Sequence, residues 1–168
     1  AKFYKENFDL PDSVEKIREK RIRMVKENYG DAPLLEGAKD FLRAAGESPL
    51  KVTLATSAPL EMAEIFLEKH GFQRYFDDVI SDDQVNESKP SPDIFLEAAK
   101  SVGVHPGDSL VVEDSQNGLL AAREAGSLCL LVPNREFSLD NTGLAGDANF
   151  VAESMTSIDL EKFRKFLE

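Results

Sequence analysis

From Leu50 onward the chain alternates short β-prone apolar runs with longer segments whose apolar residues recur at helical spacing, the pattern of a parallel sheet with helices on its faces. The runs predict strands over residues 51–55, 78–80, 110–113, 129–132 and 150–151. The helical segments between them carry start and stop signals. Pro59 stands at a first helical position, Met62, Ala63, Ile65 and Phe66 form one apolar stripe, and Gly71 is placed for a left-handed C-cap. Ser91-Pro92-Asp93 repeats this logic as cap, proline and first-turn acid. Ile94, Phe95, Ala98, Ala99 and Val102 then face inward, and Gly103 ends the helix. A third helix is expected over 117–125, stopping at Gly126. Each strand, loop and helix unit puts Thr56 and Asp114 at carboxyl ends of strands, where open α/β sheets bind ligands.

The first 45 residues hold helical patterns and no convincing strand. Asp12 with Glu15 reads as a capping box, and Val14, Ile17, Met24, Val25 and Asn28 recur at helical spacing up to a stop at Gly30. A second helix over 36–45 is expected to bury Ala38, Phe41, Leu42 and Ala45. Arg18 and Arg21 border the first stripe, where arginines more often snorkel from a surface face than meet a bound anion.

Composition narrows the function. The 168 residues carry 20 Lys and Arg against 31 Asp and Glu, and the net charge of -11 repels nucleic acid and anionic lipid. The single cysteine, Cys129, lies in an apolar run and reads as a small buried hydrophobe. One cysteine permits no internal disulfide, which fits a reducing, cytoplasmic setting. No run approaches the roughly 20 apolar residues that cross a bilayer, and the N-terminus does not resemble a secretory signal.

Three short segments carry chemistry. Glu113-Asp114 follows the apolar Leu110-Val111-Val112 directly, presenting two hard carboxylates suited to Mg²⁺; taken alone, Asp114 or Ser115 reads more readily as a helix cap. Lys89 precedes Pro90 in a turn, where a mobile ammonium can neutralise a phosphate or hold a carboxylate ionised, though a loop lysine by itself is usually only solvated. Thr56 and Ser57 end a strand and can donate hydroxyl and amide hydrogen bonds to an anion at a helix N-terminus.

The order of these segments is more specific than any one of them. Leu54-Ala55-Thr56-Ser57-Ala58, Ser88-Lys89-Pro90-Ser91-Pro92-Asp93-Ile94-Phe95 and Val112-Glu113-Asp114-Ser115-Gln116-Asn117-Gly118 resemble motifs two, three and four of the haloacid dehalogenase-like (HAD) hydrolases. The match is with the β-phosphoglucomutase-like branch, which also contains small sugar-phosphate and nucleotide phosphatases. The resemblance implies a Rossmann-like α/β core over residues 33–168 and part of a small α-helical cap over residues 1–32. It implies that Thr56 hydrogen-bonds a transferring phosphoryl group with the Ser57 amide, that Lys89 bridges phosphate and nucleophile, and that Asp114 holds Mg²⁺ with Glu113 directly or through water. Asp93 and the prolines would fix the lysine loop to its helix.

The family's first motif is a strand ending in Asp-x-Asp, whose first carboxylate is the nucleophile and second the general acid/base. The nearest candidate, Phe8-Asp9-Leu10-Pro11-Asp12-Ser13, has no apolar strand before it and is interrupted by Pro11. The expectation is therefore a longer protein that supplies roughly 50 to 60 further N-terminal residues, within the size of one domain. In the family that strand lies between the Thr56 and Asp114 strands, so these two should stand about 10 Å apart and not pair directly. The resemblance implies a monomeric, Mg²⁺-dependent phosphomonoester hydrolase of a small phosphorylated metabolite. Alternatives are a sugar-phosphate mutase and a non-catalytic remnant that binds phosphate or a partner. A phospho-accepting receiver domain uses similar residues in the reverse order.

Overall fold

The computed structural model describes residues 5, 7, 8, 11–133, 146–159, 161 and 165. The elements are α1 (Val14–Tyr29), α2 (Ala38–Gly46), β1 (Thr53–Thr56), α3 (Leu60–His70), β2 (Asp78–Ser81), α4 (Asp93–Ser101), β3 (Leu110–Glu113), α5 (Gln116–Glu124), β4 (Leu128–Leu131) and β5 (Phe150–Val151), joined by short 3₁₀ turns. All strand pairs are parallel, as the alternation of runs predicts.

The strands form two sheets. β1 pairs with β2, Thr53 opposite Asp78 and Thr56 opposite Ser81. β3 pairs with β4, Leu110 opposite Leu128 and Glu113 opposite Leu131, and β4 pairs with β5. Among the described residues β1 and β3 are not hydrogen-bonded to each other, so each keeps one edge without a strand partner. Ile94, Leu119, Ala121, Ala122, Cys129 and Leu131 form the heart of the main core. A second cluster, Leu67, Phe72 and Tyr75, lies under the last turn of α3.

Several boundaries move for local reasons. β1 begins at Thr53, not at residue 51. Lys51 Nζ donates to Asp77 Oδ1 (2.7 Å) and the Val52 amide to Asp77 Oδ2 (2.8 Å), so the Asp77 side chain shares the pairing with its own backbone amide, which donates to the Val52 carbonyl (2.7 Å). The helix expected from residue 36 begins at Ala38, because Gly37 has φ 83°, outside helical space. Ala38, Phe41, Leu42 and Ala45, expected to be buried, are half-buried. Ser13, not Asp12, caps α1 by accepting from the Lys16 amide (3.3 Å), while the Asp12 carboxylate pairs with Lys20.

Met24, expected on the apolar stripe of α1, is 62% exposed; Tyr29 instead sets its ring edge-on to Phe66 of α3, with centroids 6.3 Å apart. Arg18 is exposed, and the side chains of Arg21 and Val25 lie outside the described set, as do Asp9 and Leu10 of the Asp-x-Asp candidate. Pro59 and Pro92 sit one position earlier than expected, at the caps of α3 and α4. Gly71, with φ 67°, closes α3 as the sequence predicts. Among the described residues no helix is long and apolar enough to cross a membrane.

Candidate active site

The carboxyl ends of β1 and β3 open on one cavity of about 770 Å³, with Ala55, Thr56 and Ser57 on one side and Val112, Glu113 and Asp114 on the other. Lys89 reaches into it from the loop before α4, and Leu35, Val132 and Met155 complete the apolar part of its wall. The five residues expected to carry chemistry, Thr56, Ser57, Lys89, Glu113 and Asp114, therefore line a single space.

Each is held by local structure. Thr56 Oγ1 accepts the Ala58 amide (3.1 Å), turning the chain out of β1 toward α3. The lysine loop is tied to α4 through Asp93: its Oδ2 accepts the Glu87 amide (3.2 Å) and its Oδ1 accepts Ser91 Oγ (2.9 Å). A first-turn aspartate can serve the loop and complement the helix dipole at once. The loop places Lys89 Nζ 4.6 Å above the ring of Phe95, one turn into α4. On the other side Ser115 caps α5, its Oγ accepting the Gly118 amide (3.1 Å).

The acidic pair divides. Glu113 is bound at both oxygens, Oε2 accepting from Lys89 Nζ (2.9 Å) and Oε1 from Ser115 Oγ (2.8 Å). The Lys89 and Glu113 side chains are each only 10% exposed. Among the described residues no cation pairs with Asp114 in this way. Loss of water around its carboxyl raises its pKa most, the negative charge of Glu113 raises it further, and Lys89 offsets this in part. Cys129 lies below, 1% exposed, with its thiol pushed up to about 11 by burial and by Glu113, so it stays protonated.

The arrangement has the donor chemistry of a hard-cation site. Two adjacent carboxylates without enough positive charge to neutralise both are what Mg²⁺ relieves, and Mg²⁺ binds through one or two carboxylates, phosphate oxygens and water. No group of three or more His, Cys, Asp or Glu residues suited to a metal occurs among the described residues, so a protein-only cage is not built here. Sequence reasoning identified Ser115 only as a cap and did not single out Phe95 or Gly118 for the site. A glycine inside a helical segment was the available signal for the last.

The comparisons agree with this geometry. The probable pseudouridine-5'-phosphatase of Drosophila melanogaster is 34% identical over 169 residues, covering 97% of this chain and 72% of that protein. Hexitol phosphatase B of Escherichia coli (strain K12) is 31% identical over 148 residues, 88% of this chain and 65% of its own length. The crystal structure of CbbY from Rhodobacter sphaeroides in complex with phosphate superposes with a TM-score of 0.75 at 26% identity, covering 89% of this chain and 68% of that one. The chain spans 41 to 72% of the length of the first four curated relatives. The description "haloacid dehalogenase-like hydrolase" matches residues 1–126, and with the paired carboxylates, loop lysine and strand-end threonine on one cavity the chain belongs to that family.

Proposed function

We propose that this chain is the larger part of a Mg²⁺-dependent phosphomonoester hydrolase acting on a small phosphorylated metabolite, a sugar phosphate or nucleotide. The observation that carries the reading is the meeting of Lys89, the Glu113-Asp114 pair and Thr56 on one cavity at the ends of two strands with unpaired edges. The phosphatases among its relatives and the phosphate-bound neighbour support the same reaction class.

Thr56 Oγ1 already accepts the Ala58 amide, which leaves its O–H free to donate to a phosphoryl oxygen, with the Ser57 amide beside it. Lys89 supplies the positive charge for the transferring group. Asp114, with Glu113 behind it, would hold the Mg²⁺, which when bound neutralises phosphate charge. A nucleophilic aspartate on a segment outside this chain accepts the phosphoryl group as the substrate's P–O bond breaks and the alcohol leaves with a proton. Water then cleaves the aspartyl-phosphate to release inorganic phosphate and restore the carboxylate. The segment that carries this aspartate enters as a strand between β1 and β3. Hydrolysis is favoured over mutase chemistry because it needs no device that protects a phosphorylated intermediate from water.

The test is phosphate release by the full-length protein from a broad panel of phosphomonoesters, with Mg²⁺ and with EDTA. Release that requires Mg²⁺ and falls about 10²- to 10³-fold in Lys89→Ala is the expected outcome. No release from any member of the panel would instead support the phosphate-binding remnant.

A further inference from the structure

Gly118 is buried in the first turn of α5, as its third residue. A helix interior disfavours glycine relative to alanine. Nothing in its own backbone asks for glycine, since the positive-φ glycines are Gly37, Gly71, Gly103 and Gly126. What requires it is space. A Cβ at this position would fall 1.9 Å from Glu113 Cδ and 2.3 Å from both Glu113 Cγ and Oε1, and these Glu113 atoms are its three nearest neighbours.

The volume that any other side chain would fill is therefore occupied by one carboxylate. That carboxylate is the one that accepts from Lys89 Nζ (2.9 Å) and from Ser115 Oγ (2.8 Å). Lys89 is in turn bounded by the Phe95 ring. A long side chain at a strand end has several staggered ways to leave the backbone, and the one Glu113 adopts folds back over α5 toward Lys89.

We propose that Gly118 is a positioning residue for Lys89: its missing side chain lets Glu113 fold against α5 and hold the lysine ammonium between carboxylate and aromatic ring. A methyl group here evicts the Glu113 side chain, which is flexible and can swing into the cavity, and leaves the core packing of α5 in place. The catalytic meaning of this role rests on the phosphoryl-transfer reading above; the geometry itself does not.

The experiment reads Lys89 directly. The full-length protein and its variants are acylated with an N-hydroxysuccinimide ester of acetate, and the Lys89 rate is measured by peptide mass spectrometry against exposed Lys51 and Lys100. Gly118→Ala raises the Lys89 rate about fivefold or more, because a strong charge-assisted hydrogen bond no longer shields the amine. In a Glu113→Ala background, where no carboxylate remains to be evicted, Gly118→Ala changes the rate less than about twofold, as required when two residues act through one contact. No rise in Gly118→Ala, or an equal rise in both backgrounds, overturns the proposal. In the full-length protein Gly118→Ala lowers kcat more than it changes KM, and its loss does not add to that of Glu113→Ala; additive losses also overturn it. If the labelling behaves as expected and wild-type protein shows no turnover, the hydrolase reading fails and the positioning role stands.

Discussion

Glu113 and Asp114 are covalent neighbours with opposite electrostatic fates. Glu113 faces Lys89 and Ser115, whereas lost hydration first and the neighbouring Glu113 carboxylate second raise the pKa of Asp114. A carboxyl whose pKa is raised by folding opposes stability above its unfolded value, and the penalty shrinks as pH falls and both states take up the proton. Asp114→Asn should therefore raise the Tm of the metal-free chain at pH 7, with the gain narrowing as the pH approaches 4. Mg²⁺ should stabilise wild type and leave Asp114→Asn nearly unchanged, since only a ligand bound to the folded state shifts the transition. Melting curves with Mg²⁺ and with EDTA check both statements.

Asp77 has the opposite sign. The hydrogen bond from Lys51 lowers its pKa first, and the Val52 amide adds to this. Its contribution is present above the usual carboxylate range and disappears as pH drops through the depressed folded value. Asp77→Ala should melt earlier than wild type at pH 7, and the gap should close in a pH series reaching below 3. A constant gap across that series would show that the carboxylate charge is not what holds residues 51 and 52.

At the scale of elements, the helices are the part most legible from sequence. Gly71 closes α3 where expected, in a left-handed conformation with open space around its Cα. Gly71→Ala should cost about 1 to 2 kcal/mol in denaturant unfolding, from backbone strain without any clash. Ser115 is both the cap of α5 and a donor to Glu113. Loss of the cap in Ser115→Ala should cost about 1 kcal/mol. Leu119, one residue beyond Gly118, is fully buried, and Leu119→Ala should cost about 2 to 5 kcal/mol.

Element ends were less legible because long-range partners set them. Asp77 delays the start of β1, and the Ser109 carbonyl accepts the Leu128 amide (3.0 Å), which extends β4 one residue earlier than its apolar run suggests. Met24 shows the other limit. A helical apolar period names a face, but only the packing of α1 on α3 decides which residues it covers.

At the scale of the whole molecule, the divided sheet is the dominant feature. Val112 is 36% exposed on the unpaired side of the sheet, in the edge strand β3, and it lines the cavity with Leu35 and Met155. Amides of β1 and β3 that point away from β2 and β4 should exchange with solvent much faster than those inside the ladders, which hydrogen exchange resolved by residue can read. In the full-length protein the proposed intervening strand should protect them. Equal exchange of the two amide sets in both forms counts against that strand.

By itself the sequence determined the alternation of strands and helices, the glycine stop of α3, and the order of threonine, lysine and acidic pair that assigns the family. Those features are local: side-chain period, turn chemistry and short motifs act within a few residues of the chain. Tertiary structure decided how the site residues pair. The contact between Lys89 and Glu113 joins a loop and a strand end 24 positions apart. It exists only because α4 and α5 bring the lysine loop and the end of β3 together, with Gly118 leaving room for the carboxylate. No periodicity encodes that space, because it is defined by a side chain that is absent.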